Sequence, residues 1–254
     1  MTDPELLALA TRLAGEASAV ILAVREGGFV VDRKEDYSPV TAADRAAERL
    51  ITAGLRAATP TIPVIAEEEV AGGRVTVPGE IFWLVDPLDG TRDFAAGLAD
   101  FTVNIGLVRA GSAVLGVVAV PASGEVFSGI FGLGAWKQEG AARRPIRARR
   151  PPPEGLHVLA SRFHGDDPAL ARALAAYRVA RVTHIGSAVK FCRLAEGVAD
   201  FYPRLGRTME WDTAAPQAVL EAAGGAVRTA EGAPLRYGKP GFANPPFFCT
   251  GLPA

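Results

Sequence analysis

The feature of the sequence that most constrains the fold is an apolar strand that ends in a stiff acidic turn. Residues 81–85 form an uninterrupted apolar run, Ile-Phe-Trp-Leu-Val, which is typical of a buried strand. The acidic turn, residues 86–91, follows at once and reads Asp-Pro-Leu-Asp-Gly-Thr. Two carboxylates at the end of a core strand are costly without a partner. Because the proline stiffens the turn, both acids can be aimed at one point, which indicates a site for a divalent metal. Mg²⁺ prefers such oxygen ligands.

The last two residues of the acidic turn suit a phosphate group. Gly90 lets the backbone approach a ligand closely, and Thr91 offers an N–H and a hydroxyl. The local hypothesis is therefore a metal ion together with a phosphate.

The size and charge of the chain are those of an ordinary globular protein. Its 254 residues suffice for one large domain or two of modest size. The net charge is −1, which gives no general attraction to nucleic acid or membranes, so we expect no nucleic-acid partner. The basic run, residues 143–150, is interpreted as a solvated linker, with a local anion-binding or membrane-surface patch as the alternative.

The cysteines and the N-terminus indicate a cellular compartment. Cys192 and Cys249 lack the spacing of metal ligands, which favours a reduced intracellular protein. Asp3 and Glu5 lie in a predicted amphipathic helix that does not resemble a signal peptide. Without an uncharged apolar stretch of about 18 residues, we expect no membrane span. The predicted location is the cytoplasm, with peripheral contact at the inner membrane surface as an alternative.

The first half of the chain predicts an α+β layer. Helices are expected at 3–26 and 41–59. Strands are expected at 62–66, 81–85, 101–109, 113–120, 125–131 and 134–138. Because the later strands are closely spaced and joined by tight turns, they predict an antiparallel meander.

The second half alternates strands with helices. Strands are expected at 156–160, 182–185, 199–203 and 226–229, and helices at 167–177, 187–196 and 212–223. Such alternation predicts a mostly parallel α/β layer. We therefore place a boundary near residue 150, between a metal- and phosphate-binding domain (1–150) and a substrate-binding domain (151–254). The expected fold is a layered α+β and α/β sandwich with the site in the cleft between the halves.

Three further acidic positions have ordinary structural explanations when taken singly. Residues 67–69, all glutamates, could be a solvated loop at a strand end. Asp212 could be a helix N-cap, and Asp44 could complete a capping box with Thr41.

Together, these motifs resemble a known family. Residues 83–91 and 210–215 resemble the two signatures of the inositol monophosphatase-like, lithium-sensitive phosphatase superfamily. Residues 40–44 and 66–68 match two further family positions in the same order. The resemblance extends from about residue 30 to 250, and it implies a sugar-phosphatase-like fold.

One branch of the superfamily is most similar. Residues 161–164, 185–192, 195–197 and 202–204 resemble the CysQ-type 3′(2′),5′-bisphosphate nucleotidases. The resemblance implies an Mg²⁺-dependent phosphomonoesterase that removes the 3′-phosphate of adenosine 3′,5′-bisphosphate, a by-product of sulfate activation, by means of a metal-activated water.

The resemblance also implies roles for individual residues. The implied metal ligands are the side chains of Glu67, Asp86, Asp89 and Asp212 and the backbone carbonyl of Leu88. Two Mg²⁺ ions are implied, with a third possible near Asp44 and Glu67, and Li⁺ is expected to inhibit. Asp44 and Thr91 would orient and deprotonate the attacking water.

The implied substrate contacts lie in both halves. Gly90 and Thr91 would present backbone N–H groups to the reacting phosphate. The second anionic group of the substrate would be held by His164, Ser187, Lys190 and Arg204. Lys34 matches a basic position near the third metal.

The chain departs from the family pattern at two places, Pro216 and residues 92–94. Pro216 stands where the family usually has glycine, which affects the expected shape of the pocket. If Asp212 caps its helix, Pro216 falls at the fourth helical position. Glu210 could add a carboxylate near the sugar. Residues 92–94, Arg-Asp-Phe, differ from the family's usual triplet but keep the basic–acidic order of the most similar branch.

Several alternatives remain open from the sequence. Inositol monophosphatase and fructose-1,6-bisphosphatase activities use the same chemistry, and a non-catalytic phosphate-binding module is a different class. A monomer and a homodimer are both compatible with the sequence.

Overall fold

The computed structural model describes residues 1–33, 39–74, 76–162 and 168–252. The first half contains four helices and nine strands within the described residues. In chain order they are α1 (Asp3–Gly27), β1 (Val31–Arg33), β2 (Pro39–Thr41), α2 (Ala42–Ala58), β3 (Val64–Ala66), α3 (Glu67–Ala71), β4 (Ile81–Asp89), α4 (Thr91–Ala95), β5 (Thr102–Arg109), β6 (Ser112–Val120), β7 (Glu125–Ile130), β8 (Gly134–Glu139) and β9 (Ala142–Ile146).

Strands β1 and β2 form a separate antiparallel pair, and the other seven strands of the first half form one sheet. Its order is β3-β4-β5-β6-β7-β8-β9. The β3–β4 pair is parallel, and the other neighbours are antiparallel. The predicted meander is confirmed, because each short turn returns the chain beside the strand it has just left.

The second half contains α5 (Pro168–Leu174), α6 (Val189–Ala195) and α7 (Glu210–Ala222), with a short 3₁₀ helix (Pro240–Phe242). Its strands are β10 (Leu156–Ser161), β11 (Val179–Ile185), β12 (Phe201–Arg204), β13 (Ala226–Thr229) and β14 (Phe247–Thr250). They form a five-stranded sheet in the order β11-β10-β12-β14-β13. The strand β10 is parallel to both neighbours, whereas β14 is antiparallel to both of its own. The layered fold class is confirmed. The second sheet is mixed and not mostly parallel as predicted, because β14 pairs antiparallel with both β12 and β13.

Helix α7 lies between the two sheets on a stripe of glycines. Gly106, Gly116 and Gly129 are register partners on β5, β6 and β7, and we call them the glycine stripe. A Cβ atom at any of the three would collide with the backbone of α7 at Ala215 or Val219. The stripe therefore lets the helix approach the sheet closely, and it fixes the N-terminus of α7 beside the end of β4.

The first helix belongs to the core. Among the described residues, α1 is the one helix long and apolar enough to cross a membrane by length and composition, although it contains charged residues. It packs against α2 and the large sheet, and it buries Leu6, Leu13 and Ile21. Its apolar face is thus covered by protein.

The basic run forms the edge of the large sheet and the link to the second half. Residues 142–146 form the edge strand β9, which the linker interpretation did not foresee. The Arg143 guanidinium lies 4.4 Å from the centre of the Trp136 ring. Arg149 makes two hydrogen bonds of 2.8 and 2.9 Å to Asp200. Several of these arginines therefore serve internal packing.

Candidate active site

The acidic turn continues strand β4 through a bulge. Asp86 pairs with Asn104 and Asp89 pairs with Thr102, and the register shifts between the two pairs. Pro87 has no N–H for the ladder, so a bulge accommodates it. The Asp86 carboxylate accepts the N–H of Leu88 at 3.0 Å. The stiff turn inferred from the sequence is therefore the bulged end of β4, and the Asp86 carboxylate accepts a hydrogen bond from the backbone of that same bulge.

A cavity of about 420 Å³ opens beside this bulge, between the two halves. The residues predicted for the site that line the cavity are Glu67, Asp89, Gly90, Thr91, Ser187, Lys190, Arg204 and Asp212. His164 and Lys34, also predicted, lie outside the described residues. The acidic side of the cavity comprises Glu67 and Asp89 from the first half and Asp212 from the second, and it faces a basic wall from the second half. The predicted residues Asp44, Asp86 and Leu88 are not among the described residues that line the cavity.

Repulsion between buried carboxylates marks the acidic side of the cavity. Burial raises the pKa of Asp86 well above its usual value, and Glu67, Asp89 and Asp212 each raise it further. Burial, Asp89 and Glu67 together raise the pKa of Asp212 to about 8. Burial also raises the pKa of Asp89, although Lys190 opposes this. The four acids thus act on one another electrostatically, as a site for a bound cation requires.

The acidic side is not a preassembled metal centre. Among the described residues, no three His, Cys, Asp or Glu side chains are gathered closely enough to form one. The donor chemistry nevertheless fits Mg²⁺, because every acid facing the cavity offers hard oxygen atoms. The mutual rise in pKa supplies the physical reason for a cation to bind there.

Asp44 connects helix α2 to the acidic turn. Its Oδ2 atom accepts the Thr41 N–H at 2.7 Å and the Thr41 hydroxyl at 2.6 Å, which completes the capping box. Its Oδ1 atom lies 3.1 Å from the Thr91 hydroxyl, which also lies 3.0 Å from the carbonyl oxygen of Leu88. Burial raises the pKa of Asp44. The ordinary capping role and the predicted pairing with Thr91 are therefore both present.

Lys190 supplies the buried positive charge of the basic wall. Its ammonium donates to the carbonyl oxygens of Ser187 (2.7 Å) and Ile185 (3.2 Å) and lies 5.1 Å from the centre of the Tyr202 ring. Burial lowers the pKa of Lys190 to about 8, against the opposing effect of Asp89. Two of its three N–H bonds are thus committed to the backbone beside the cavity.

Arg204 supplies a second cation to this wall. Its Nη2 atom donates to the carbonyl oxygen of Arg207 at 2.8 Å. Its buried Nε atom has no hydrogen-bond partner within the described part of the chain. The guanidinium therefore keeps donor capacity for a ligand.

The turn at residues 186–188 joins the two sides of the cavity. Ser187 has φ 46°, a strained value for a residue other than glycine. The N–H of Ala188 donates to Oδ2 of Asp89 at 2.6 Å. Gly90 has φ 91°, and a Cβ atom there would approach Ser187 Cβ to 3.2 Å. This turn, which belongs to the second half, thus packs directly against the acidic turn of the first half.

The structure corrects three expectations about helix α7. Met209 is the N-cap, and Asp212 is the third helical residue, whose carboxylate accepts the Met209 N–H at 2.8 Å. Pro216 therefore falls at the seventh helical position and not the fourth, and it removes the N–H that would reach the Asp212 carbonyl. Glu210 does not face the sugar, because its buried carboxylate accepts the N–H groups of Gly238 (2.8 Å) and Lys239 (2.9 Å).

Sequence reasoning missed two groups near the cavity. Asn104, opposite Asp86, is fully buried, and neither atom of its amide group has a hydrogen-bond partner among the described residues. Its polarity between the apolar residues Val103 and Ile105 was the available signal. Arg162, which lies in the 161–164 motif but was given no role from the sequence, forms ion pairs with Asp93 and Asp100.

Comparison with known proteins identifies relatives over almost the whole chain. A sequence model described as the inositol monophosphatase family matches residues 3–247. The 3′(2′),5′-bisphosphate nucleotidase CysQ of Escherichia coli (strain K12) is 44% identical over 241 residues, which cover 93% of this chain and 96% of the relative. The CysQ protein of Salmonella typhimurium (strain LT2) is 43% identical over 244 residues, with 94% and 97% covered.

Solved structures agree with these sequence matches. The crystal structure of CysQ from Bacteroides thetaiotaomicron superposes with a TM-score of 0.80 at 32% identity, covering 97% of each chain. The inositol monophosphatase from Anabaena sp. PCC 7120 superposes with a TM-score of 0.77 at 29% identity, covering 98% of this chain and 91% of the other.

Proposed function

The chain belongs to the inositol monophosphatase family, and we infer that it is a metal-dependent 3′(2′),5′-bisphosphate nucleotidase. Identity of 44% to CysQ nucleotidases over nearly the full length of both chains carries this conclusion. The cavity agrees with it, because acidic oxygens face a basic wall that can hold a second anionic group. The reaction releases inorganic phosphate from a small phosphate ester, and it belongs to sulfur assimilation.

We assign the metal site to the acidic side of the cavity. Its ligands are the carboxylates of Glu67, Asp86, Asp89 and Asp212 and the carbonyl oxygen of Leu88. Two Mg²⁺ ions are proposed, with a third near Asp44, and Li⁺ is proposed as an inhibitor. When bound, Mg²⁺ stabilises charge on the phosphoryl oxygens and lowers the pKa of a water molecule. The raised pKa values of Asp86 and Asp212 support the assignment, since an added cation relieves their repulsion.

Asp44 and Thr91 are proposed to orient and deprotonate the attacking water. The water oxygen forms a bond to phosphorus while the ester P–O bond breaks, and the leaving oxygen takes up a proton from solvent to give the free hydroxyl. The Thr91 hydroxyl lies 3.1 Å from Asp44 Oδ1, so it can accept the proton of the water while passing its own to Asp44. Because burial raises the pKa of Asp44, its carboxylate is a stronger proton acceptor than an exposed aspartate.

The basic wall is proposed to hold the rest of the substrate. Gly90 and Thr91 present backbone N–H groups to the reacting phosphate. Ser187, Lys190 and Arg204 hold the second phosphate, with His164 as a further contact. The buried Nε atom of Arg204, which has no partner among the described residues, supports this arrangement. Arginine suits a bidentate contact with phosphate.

Phosphate release with Mg²⁺ tests the substrate directly. Adenosine 3′,5′-bisphosphate, inositol 1-phosphate and fructose 1,6-bisphosphate are compared side by side. We expect kcat/KM for the bisphosphate nucleotide to exceed the other two at least tenfold. Preference for either sugar phosphate would overturn the nucleotidase assignment. Absence of release from all three would favour the non-catalytic phosphate-binding module.

We also propose a cytoplasmic location and a monomer or homodimer as the working form. Light scattering after size-exclusion chromatography distinguishes the two forms, and cell fractionation tests the location. Recovery in the membrane fraction would contradict it.

A further inference from the structure

Arg162 bridges the two halves of the molecule beside the cavity. It follows strand β10 in the second half, and its guanidinium forms ion pairs with Asp93 of α4 and with Asp100, both in the first half. Asp93 is buried, whereas the Arg162 side chain is 29% exposed. Arg162 is not among the described residues that line the cavity, so any effect on substrate must pass through its partners.

The Asp93 carboxylate, which pairs with Arg162, also packs against the turn at residues 186–188. A Cβ atom at Gly186 would collide with the Asp93 carboxylate and would lie 2.8 Å from the carbonyl oxygen of Asp100. The next residue, Ser187, lines the cavity with its strained backbone. Contact thus runs from Arg162 through Asp93 to Gly186 and from there to Ser187.

The turn needs such support, because strained backbone persists only where its surroundings fix it. On one side, Lys190 donates to the Ser187 carbonyl oxygen. On the other side stand Asp93 and Asp100, two carboxylates whose mutual repulsion Arg162 neutralises. Without the guanidinium these two acids would separate, and Gly186 would lose the groups against which it packs.

We propose that Arg162 is a positioning residue that holds the 186–188 turn so that Ser187 meets the second anionic group of the substrate. This inference rests on the proposed function, because that function supplies a substrate with two phosphates. The inference adds to the proposed function by assigning selectivity for the second phosphate partly to Arg162, a residue that is not among the described residues lining the cavity.

The kinetic test compares Arg162→Gln with a matched control, Arg193→Gln. Arg193 also bridges the halves, from α6 to Glu125 of β7 with distances of 2.9 and 2.7 Å. Its side chain is 24% exposed, and it is absent from the described lining of the cavity. We expect Arg162→Gln to lower kcat/KM for adenosine 3′,5′-bisphosphate at least tenfold, mainly through KM. Its loss on adenosine 3′-phosphate should stay below threefold. Arg193→Gln should change neither value.

Two further variants protect the test against simple misfolding. Gly186→Ala places a methyl group on the Asp93 carboxylate and should reproduce the selective loss with Arg162 intact. Arg162→Lys keeps the positive charge and should recover part of the activity on the bisphosphate.

Hydrogen exchange provides a readout that does not depend on activity. The Ala188 N–H donates to Asp89. Its exchange rate should be at least tenfold higher in Arg162→Gln than in the wild type, and it should equal the wild-type rate in Arg193→Gln. Equal losses on both substrates, or unchanged exchange at residues 186–190, would overturn the inference. If the wild-type protein fails to hydrolyse the bisphosphate, the proposed function falls, and the exchange experiment still decides whether Arg162 positions the turn.

Discussion

Asp86 is the most deeply buried of the four acids proposed to bind the metal. Its carboxylate is fully buried beside three other acids that raise its pKa, so a cation bound beside it would favour its charged form. A residue of this kind trades stability for function. Neutralising it should therefore separate the two properties.

We predict that Asp86→Asn abolishes turnover and leaves the fold intact. The loss should be at least about 100-fold, because a metal ligand contributes several kcal/mol of transition-state stabilisation and each 1.36 kcal/mol is tenfold in rate. Phosphate release and calorimetric Mg²⁺ titration measure the effect. The Mg²⁺-free variant should unfold at the same temperature as the wild type or higher.

The control for this variant is Asp32→Asn, which neutralises an exposed carboxylate paired with Arg45. It should retain wild-type turnover. If Asp86→Asn kept more than about a tenth of the wild-type rate, the assignment of Asp86 as a metal ligand would be wrong.

Lys190 permits a second prediction at this scale. Lys190→Met keeps the length of the side chain but removes the charge and its bonds to two backbone carbonyls. We expect a lower kcat/KM on the bisphosphate and a loss of about 1–3 kcal/mol in the free energy of unfolding, the cost of unsatisfied buried acceptors. Steady-state kinetics and urea denaturation measure the two effects. Wild-type kinetics in this variant would remove Lys190 from the proposed site.

Residue types could be predicted from the sequence better than side-chain directions. The acids that line the cavity belong to sequence motifs from which their presence in the site could be predicted. The sequence does not show that Asp212 is the third residue of its helix, or that Glu210 points away from the cavity. Both depend on where α7 begins, and one residue of difference in a helix start rotates every following side chain by about 100°.

At the scale of elements, the glycine stripe under α7 is decisive. A Cβ atom at Gly116 would overlap the Ala215 carbonyl, and backbone cannot move aside as a side chain can. The stripe therefore fixes both the height of α7 above the sheet and the position of Asp212.

We predict that Gly116→Ala destabilises the protein by about 2–4 kcal/mol, because the helix must lift to admit the methyl group. Urea denaturation measures this loss, and activity should fall with it as Asp212 moves. Gly15→Ala is the matched control. Its Cβ atom on α1 meets nothing within 4 Å, so it should stabilise by about 0.5–1 kcal/mol. Equal effects of the two variants would contradict the close-packing explanation.

Elements with strong local patterns could be predicted, and those set by distant pairing could not. The helices α1 and α2 and the meander follow from periodicity and turn residues. The strand β14 has only four residues, and it enters the second sheet antiparallel between β12 and β13. Its place depends on partners more than 15 residues away in the chain, which periodicity does not encode.

At the scale of the whole molecule, a buried ionic cluster joins the halves away from the cavity. Glu125 on β7 accepts two hydrogen bonds from Arg193 on α6 and pairs with Lys137 on β8. Glu196 completes the cluster through Lys137 and Arg193. Arg193 is the main cause of a pKa of about 2 at Glu125, well below the usual value.

We predict that this cluster makes stability fall in acid. Because the folded-state pKa of Glu125 is lowered, its contribution is complete above about pH 4.5 and is lost as pH falls toward 2. The contribution is at most about 3 kcal/mol. Urea denaturation of wild type and Glu125→Gln at pH 6 and pH 3 measures it. The gap between the two proteins should shrink at pH 3, and Glu16→Gln, which alters an exposed pair, should show little change. A gap of constant size would contradict the prediction.

The position of α7 has a consequence for how ligands enter and leave. By sequence the helix belongs to the second half, yet its inner surface packs against the sheet of the first half, and one apolar cluster contains residues of both halves. A movement that separates the two halves would break the packing of α7 against the large sheet and expose apolar surface to water. The nucleotide should therefore enter, and the products leave, through the existing opening of the cavity, and conformational change should be confined to the loops around that opening.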